Sequence, residues 1–309
     1  MTSLLTNASA ITALQNLSMT NKSMQTTQDR ISTGMRVSNA SDNAAYWSIA
    51  TTMRSDSAAI TTVKDALGLG AATTDLASAA MKSVSEVVDK IKEKLVAARQ
   101  PGVDRTKVQA EITQLQDQIK SIANSSTFSG ENWLSVNSSS ASYNATKSIV
   151  SSFSRTGSTV SIGTIDVDLD ATKLFDATAV AANKGIIDKV RTSGTASASV
   201  DAIDISALTD SAADNATLDG YINIVEATLT DLTAAGADLG AAKSRIDMQT
   251  SFIGKLVDSI TLGIGQLVDA DMNKESTRLQ ALQVQQQLGI QSLSIANQNS
   301  QQIMALFQN

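Results

Sequence analysis

The sequence contains no cysteine and no histidine, and only one proline, Pro101. The first two absences together remove disulfides, zinc sites with Cys or His ligands, Cys–His nucleophiles and Ser–His–Asp triads. An enzyme built from these residues would have to work through carboxylates, and no convergent Asp/Glu pair stands out, so the chain reads as a non-enzyme that needs no cofactor and no metal. A cysteine-free chain can also cross a membrane unfolded without becoming cross-linked. The near-absence of proline leaves long helices almost without an internal breaker. Aromatic residues make up 3% of the 309 residues, whereas 42% are hydrophobic, most of them Ala, Leu, Ile and Val, which suits slender helical packing. Basic residues are also in deficit, 24 against 30 acidic ones, for a net charge of −6. That balance argues against a nucleic-acid partner bound through phosphate neutralisation. No run of 18 apolar residues occurs, so no membrane-spanning helix is expected. The first residues have no basic region ahead of an apolar stretch, so no secretory signal peptide is expected either.

Long helices are what the pattern predicts. Ile11, Leu14, Leu17, Met24 and Ile31 mark an amphipathic helix that should end near Thr33-Gly34, where glycine can cap it. From Tyr46 to Ala98 apolar residues recur in alternating steps of three and four, broken only at Asp56, Gly70 and Thr74. This is the period of a coiled-coil seam. Ser41 or Asp42 can cap this helix, which would run on the order of 80 Å. Gln100-Pro101-Gly102 turns the chain, Asp104 can cap the next helix, and Val108, Ile112, Leu115, Ile119 and Ile122 form its seam, giving an antiparallel helical hairpin. Ser148–Phe153 and Thr159–Leu169, separated by Arg155-Thr156-Gly157-Ser158, read as a β-hairpin. Residues 175–215 read as an exposed, variable stretch with one short helix around Ile186–Val190. A second long seam starts at Leu218 and runs to Leu267.

The two ends differ from everything between them. Residues 1–21 and 279–309 carry no charged side chain, and glutamine fills ten positions from 280 onward. Two apolar stripes run along the last segment: Leu279, Leu282, Leu293, Ile303 and Phe307 on one side, and Val284, Leu288, Ile295 and Leu306 on the other. A helix that is apolar on two sides needs neighbours on two sides. Burying one large aliphatic side chain is worth roughly 1.5–3 kcal/mol, against an ordering cost of about 1–2 kcal/mol per residue. Lone helices of this kind are marginal in water, so both ends should fold against several copies of the chain. A disordered tail is the alternative, but such tails are usually poor in Leu and Ile and rich in charge. The fold class expected is mainly α. It consists of long antiparallel coiled-coil helices, a β-hairpin and a small α/β variable segment, with the termini paired as an inner helical layer. The expected division is 1–42 with 269–309 as the terminal domain, 43–174 with 216–268 as a helical rod with the hairpin, and 175–215 as the variable segment.

Arg30-Ile-Ser-Thr-Gly-Met-Arg-Val-Ser-Asn-Ala-Ser-Asp-Asn-Ala-Ala resembles the N-terminal signature of bacterial flagellins, close to R-L-S-T-G-L-R-I-N-S-A-x-D-D-A-A. The end, from Gln285 to Phe307, resembles their C-terminus, with its Ala-Asn-Gln and final Leu-Phe. The resemblance implies a structural subunit of the extracellular flagellar filament, used for swimming and self-associating into a helical homopolymer. It also implies dealings with the flagellar type III export apparatus, an export chaperone, and the filament cap and junction proteins. The assembly residues it implies are Leu14, Leu17, Met24, Arg30, Ile31, Gly34, Arg36, Asp42, Leu282, Leu288, Leu293, Ile295, Ile303, Leu306 and Phe307. Two departures stand out. The family usually has Gly-Leu after the Ala-Ala pair, where this chain has Tyr46-Trp47. Its innate-immune segment reads roughly R-V-R-E-L-A-V-Q, where this chain has Lys90-Ile-Lys-Glu-Lys-Leu-Val-Ala. Lys92 and Glu93 fit the Arg-Glu positions, but Lys94 replaces an apolar residue, so weakened recognition by host receptors is expected.

Other motifs carry less. Asp166-Val-Asp-Leu-Asp170 starts like a calcium loop, but Ala171 replaces the required glycine and Ala177 the closing glutamate, so an exposed strand is expected there. Gly68-Leu-Gly70 interrupts a helical seam and marks close packing or a bend. Two other functions fit the same pattern: a hook–filament junction protein of the same architecture, or a secreted coiled-coil adaptor that only pairs helices.

Overall fold

A computed structural model describes residues 7–307 other than 142, 158 and 179, with side chains described except at 182 and 299–307. Six helices dominate it: α1 (Ala8–Thr33), α2 (Ala44–Ala98), α3 (Arg105–Ser125), the single turn α4 (Leu169–Thr172), α5 (Ala212–Val268) and α6 (Met272–Phe307). The strands are β1 (Thr127–Phe128), β2 (Glu131–Asn132), β3 (Ser135–Val136), β4 (Thr146–Thr156), β5 (Thr159–Asp168), β6 (Phe175–Asp176), β7 (Arg191–Ser193) and β8 (Ala196–Ala198). They form four two-stranded pieces, of which only β3–β6 is parallel. The mainly helical fold is as expected. The chain divides into two compact units, 1–58 with 257–309 and 59–256, and the divisions fall inside α2 and α5.

Helix ends follow local chemistry. The Asn7 side chain accepts from Ala10 N at 3.1 Å and starts α1, and Gly34 at φ 70° ends it. The Asp104 side chain caps α3 by accepting from Lys107 N. Expectation and structure part company at α2. Asn43 caps it, accepting from the backbone of Ala45 and Tyr46, both at 3.1 Å. Asp42 turns back instead, to the N–H groups of Ser38 and Asn39 at 3.0 and 3.1 Å. One residue decides the difference, because only the residue immediately before the first turn can reach its free N–H groups.

In the unit 59–256, α2 and α5 pack antiparallel. Arg99 pairs with Asp219 at 2.8 Å, Lys92 with Glu226 and Lys243 with Asp75, and Met81 lies against Gly236. Each step along α2 is matched by an equal step back along α5. The α2 seam is buried from Ile60 onward, including Leu67, Val84, Ile91 and Leu95. Its polar interruptions have structural reasons. A Cβ on Gly70 would lie 2.5 Å from Ile149 of β4, so glycine lets the hairpin approach the helix. The buried Thr74 donates its hydroxyl proton to the Gly70 carbonyl at 2.8 Å. Helix α3 is tied in by Arg105, which is 5% exposed. Its guanidinium donates to the carbonyls of Ala98 and Thr209, to Asp210 at 3.0 Å and to Asn215 at 2.9 Å.

The expected hairpin is present as β4–β5, with a register shift between Val150 and Ser152 and Gly157 at φ 64° in the turn; Ser158 lies outside the described residues. Around the Asp-rich motif the chain is a strand only as far as Asp168. There the Asp168 carboxylate accepts from Asp170 N, caps α4 and lets Leu169 enter the core. No metal-holding group of acidic residues occurs among the described residues.

Two expectations fail. Ile186–Val190 is a turn and not a helix; the helical turns of this stretch among the described residues are the three-residue 3-10 pieces Ala181–Asn183 and Val200–Ala202. Residues 175–215 are also not simply exposed, since Ile187, Val200, Ile203 and Ile205 are at most 1% exposed. Their apolar side chains point inward from irregular backbone held by hydrogen bonds such as Ile186 N to Lys173 O and Ile187 N to Leu174 O. Irregular backbone has no fixed period, so a search for periodicity passes over these anchors. A third expectation needs qualification. By length and composition α5 contains an 18-residue window apolar enough to cross a membrane, at mean hydropathy 1.2, and only 11% of it is buried within the chain.

Candidate assembly surface

In the unit formed by the two ends, α1 and α6 lie antiparallel. Arg30 pairs with Glu275 at 3.3 Å, Gln286 donates to Asn21 at 2.8 Å, Gly289 faces Leu17, and Asn7 Nδ2 donates to the Ala296 carbonyl at 3.0 Å. These four contacts keep one register from end to end. The α1 residues withdrawn from solvent run through Ala10, Ala13, Leu17, Thr20, Met24, Thr27 and Ile31, and their partners through Glu275, Leu279, Leu282, Gln286, Gly289, Leu293 and Ala296. Both series step by three and four, the spacing of a coiled-coil seam. The seam is thin. Alanine, threonine, glycine and glutamine alternate with the large residues, so the helices approach closely but bury little apolar area.

The remaining apolar residues face outward. On α1 these are Ile11, Leu14 and Met19; on α6 they are Val284, Leu288, Ile290 and Ile295, all more than half exposed. The two stripes expected on the last helix therefore separate. Leu279, Leu282 and Leu293 face α1, whereas Val284, Leu288 and Ile295 face solvent. Of the expected assembly residues, Leu17, Met24, Ile31, Leu282 and Leu293 serve the seam within the chain. Leu14, Leu288 and Ile295 lie on the uncovered faces. The side chains of Ile303, Leu306 and Phe307 lie outside the described residues.

Arg30, Gly34, Arg36 and Asp42 build a corner within the chain. The Gly34 carbonyl accepts from Ala270 N at 2.9 Å, and Met35 bridges Asp269. The N–H groups of Arg36 and Val37 both reach the Val268 carbonyl, and the Arg36 guanidinium donates to Leu267 O at 2.9 Å. Val37, Ala50 and Val268 are buried together, with Met35, Ile264 and Leu267 around them. The Asn39 and Ser38 N–H groups hold the Asp42 carboxyl below its ordinary range. The signature thus joins α1 to α2 and fastens that joint to the junction of α5 and α6. Its glycine is required at positive φ, its Arg36 reaches a backbone carbonyl that two abutting helix ends leave open, and its Arg30 pairs with the Glu275 carboxylate.

Sequence reasoning missed three features of this unit. Glu275 is 6% exposed, and its Oε2 has no hydrogen-bond partner. Asn7, Asn21 and Gln286 set the register. Tyr46 and Trp47 are exposed at the corner. The heptad count would have found the register if begun at Ala10, because Ala, Thr and Gly occupy most of its small positions. Elsewhere, Lys92 and Lys94 are each held in an ion pair, Lys92 with Glu226 and Lys94 with Glu111, while Glu93 is exposed. The hydrogen bond from Lys92 to Glu226 raises the Lys92 pKa above its ordinary value.

Comparison with known proteins agrees with this geometry. The family model for the bacterial flagellin N-terminal helical region matches residues 4–139, and that for the C-terminal helical region matches 222–307. Residues 140–221 fall outside both. The chain is 49% identical over 326 residues to Flagellin C of Rhizobium meliloti strain 1021, covering 100% of each chain. It is 46% identical over 308 residues to Flagellin of Brucella melitensis biotype 1, covering 99% of each. It is 43% identical over 399 residues to Flagellin A of Rhizobium meliloti, covering 99% of this chain and 100% of the relative.

Proposed function

The chain belongs to the bacterial flagellin family: it is a structural subunit of the extracellular flagellar filament and not an enzyme, and we propose that the uncovered apolar faces of α1 and α6 are its principal contacts with other subunits. One observation carries this proposal. Seven large apolar side chains project from the uncharged stretches of these helices, before Lys22 and after Arg278, and the seam between the two helices is too thin to bury them. A lone subunit leaves that surface wet, whereas a polymer covers it, and contiguous exposed apolar surface marks sites of protein association. The low burial of the apolar window in α5 has the same explanation, with neighbouring subunits as its cover in place of lipid.

On this reading residues 1–42 and 269–309 form the filament's inner layer, and residues within 140–221 form its outer, family-variable surface. The export apparatus, export chaperone, cap and junction proteins are partners of the ends. Neither the junction protein nor the adaptor alternative is favoured by relatives that are flagellins over their full length. Host receptors that read the Lys92–Lys94 segment should respond weakly, because both lysines are engaged and Lys94 departs from the apolar residue; a full-strength response in a receptor reporter assay would refute this. Removing residues 290–309 tests the main proposal. The truncated chain should keep a cooperative unfolding transition for the unit 59–256 and lose seeded polymerisation. Filaments of wild-type yield would overturn it.

A further inference from the structure

The corner carries an aromatic pair that stands largely open to solvent. Tyr46 is 41% exposed, Trp47 37% and Ile49 50%, in a sequence with two tryptophans and three tyrosines in all. One helical turn on, Ala50 is 1% exposed and packs with Val37 and Val268, so α2 turns its small residue inward and its large ones outward. That reverses the usual order of burial. The Arg36 guanidinium sits 5.9 Å from the centre of the Tyr46 ring, which fixes the ring and places a cation beside the patch. Arg54, one turn further along the same helix, is also exposed. The Trp47 indole N–H makes no hydrogen bond among the described residues. Exposed tryptophan and tyrosine beside arginine is the composition of a binding hot spot.

We propose that Tyr46 and Trp47 anchor a second copy of this chain, forming a contact separate from the terminal stripes during assembly. The occupant follows from charge and continuity. The chain has six more acidic than basic residues, so another copy offers the carboxylates that Arg36 and Arg54 match. The patch also belongs to the same compact unit as the exposed stripes of α1 and α6. Seating the indole in a neighbour removes its apolar face from water and gives its N–H an acceptor. The proposal rests on filament assembly.

The two tryptophans make the test direct, since Trp133 is 7% exposed and already shielded while Trp47 is open. Full-length chain is polymerised on seeds, and fluorescence and acrylamide quenching are compared between monomer and filament. The expected result is emission at shorter wavelength and at least a halving of quenching, with the change absent in Trp47→Phe and retained in Trp133→Phe. Trp47→Ala, which keeps a good helix former in the first turn of α2, should raise the critical concentration at least tenfold with monomer helicity unchanged. Wild-type filaments in which Trp47 stays open to quencher, or Trp47→Ala filaments with an unchanged critical concentration, would overturn the anchor alone. Wild-type chain that forms no filaments on any seed would overturn the assembly reading and the anchor with it.

Discussion

Leu288 is the sharpest place to separate folding from assembly. It sits on the outward stripe of α6, 58% exposed, two residues beyond the seam residue Gln286 and beside Gly289. In the monomer a Leu288→Glu carboxylate would stay in water, and exposed substitutions of this kind change stability by no more than about 0.5 kcal/mol. In the polymer two costs arise. The lost burial of the leucine is worth about 1–1.5 kcal/mol, scaled to the part of the side chain still uncovered. An unpaired carboxylate held out of water adds several kcal/mol. A total of about 4 kcal/mol per subunit raises the critical concentration roughly a thousandfold. Leu288→Gln removes only the first cost and should raise it no more than about tenfold. Sedimentation of seeded reactions measures both, and circular dichroism confirms that the monomers match. If L288E filaments form within threefold of the wild-type critical concentration, the outward stripe is not a subunit contact.

Other expectations concern the unit 59–256. Arg105→Ala leaves the carbonyls of Ala98 and Thr209 without a donor and should cost about 3 kcal/mol in urea unfolding; a loss below about 1 kcal/mol would show that the guanidinium is not what ties α3 to the start of α5. The neighbouring glycines of α2 should respond with opposite signs. Gly68→Ala meets nothing within 4 Å and should stabilise by about 0.5–1 kcal/mol. Gly70→Ala drives into Ile149 and should cost about 1 kcal/mol net of the same propensity gain; equal stability of the two variants would remove the account of hairpin docking. Stability should also fall in acid through Asp176. Burial alone would raise its pKa, but the N–H groups of Ser138 and Thr178 and the Lys173 ammonium outweigh burial and hold it at about 2 against an ordinary 3.8. A depressed folded-state pKa stabilises above the ordinary value, and that stability is lost as pH falls from about 4 to 2, here about 2 kcal/mol. Asp176→Asn should flatten the slope in that window, and an unchanged slope would place the acid sensitivity elsewhere.

The long helices were legible because burial on one side imposes a period. The seams through Leu67, Ile91, Leu95, Leu218 and Leu239 are deeply buried, and the pauses at Gln100–Gly102 and Thr33-Gly34 follow from proline and glycine geometry. The core contributed by Leu134, Leu174, Ile187 and Ile205 was not legible. Each sits on a bend, a turn or an irregular stretch too short for a period, so no spacing announces it. The terminal seam was half legible. Leu17, Met24 and Ile31 lie at heptad spacing and belong to it, but Leu14 fits the same amphipathic pattern and points outward. The choice between them depends on which face of α6 is near, and that is set by Asn7, Asn21, Gln286 and the Arg30–Glu275 pair. Arg30, Gly34, Arg36 and Asp42 were recognised by their motif. The backbone carbonyls and N–H groups that Gly34, Arg36 and Asp42 use are invisible to a comparison of side chains.

The central claim is that the uncovered faces of the terminal helices become buried when subunits join. The chain has no cysteine of its own, so single cysteines at Leu14, Leu288 and Ile295 can be labelled with a maleimide in monomer and in filament, with Thr192→Cys in the 140–221 region as an exposed reference. The expected result is rapid labelling of all four in the monomer, and protection of the first three by at least tenfold in the filament while the reference stays reactive. Equal labelling of the terminal positions in both states would contradict the account.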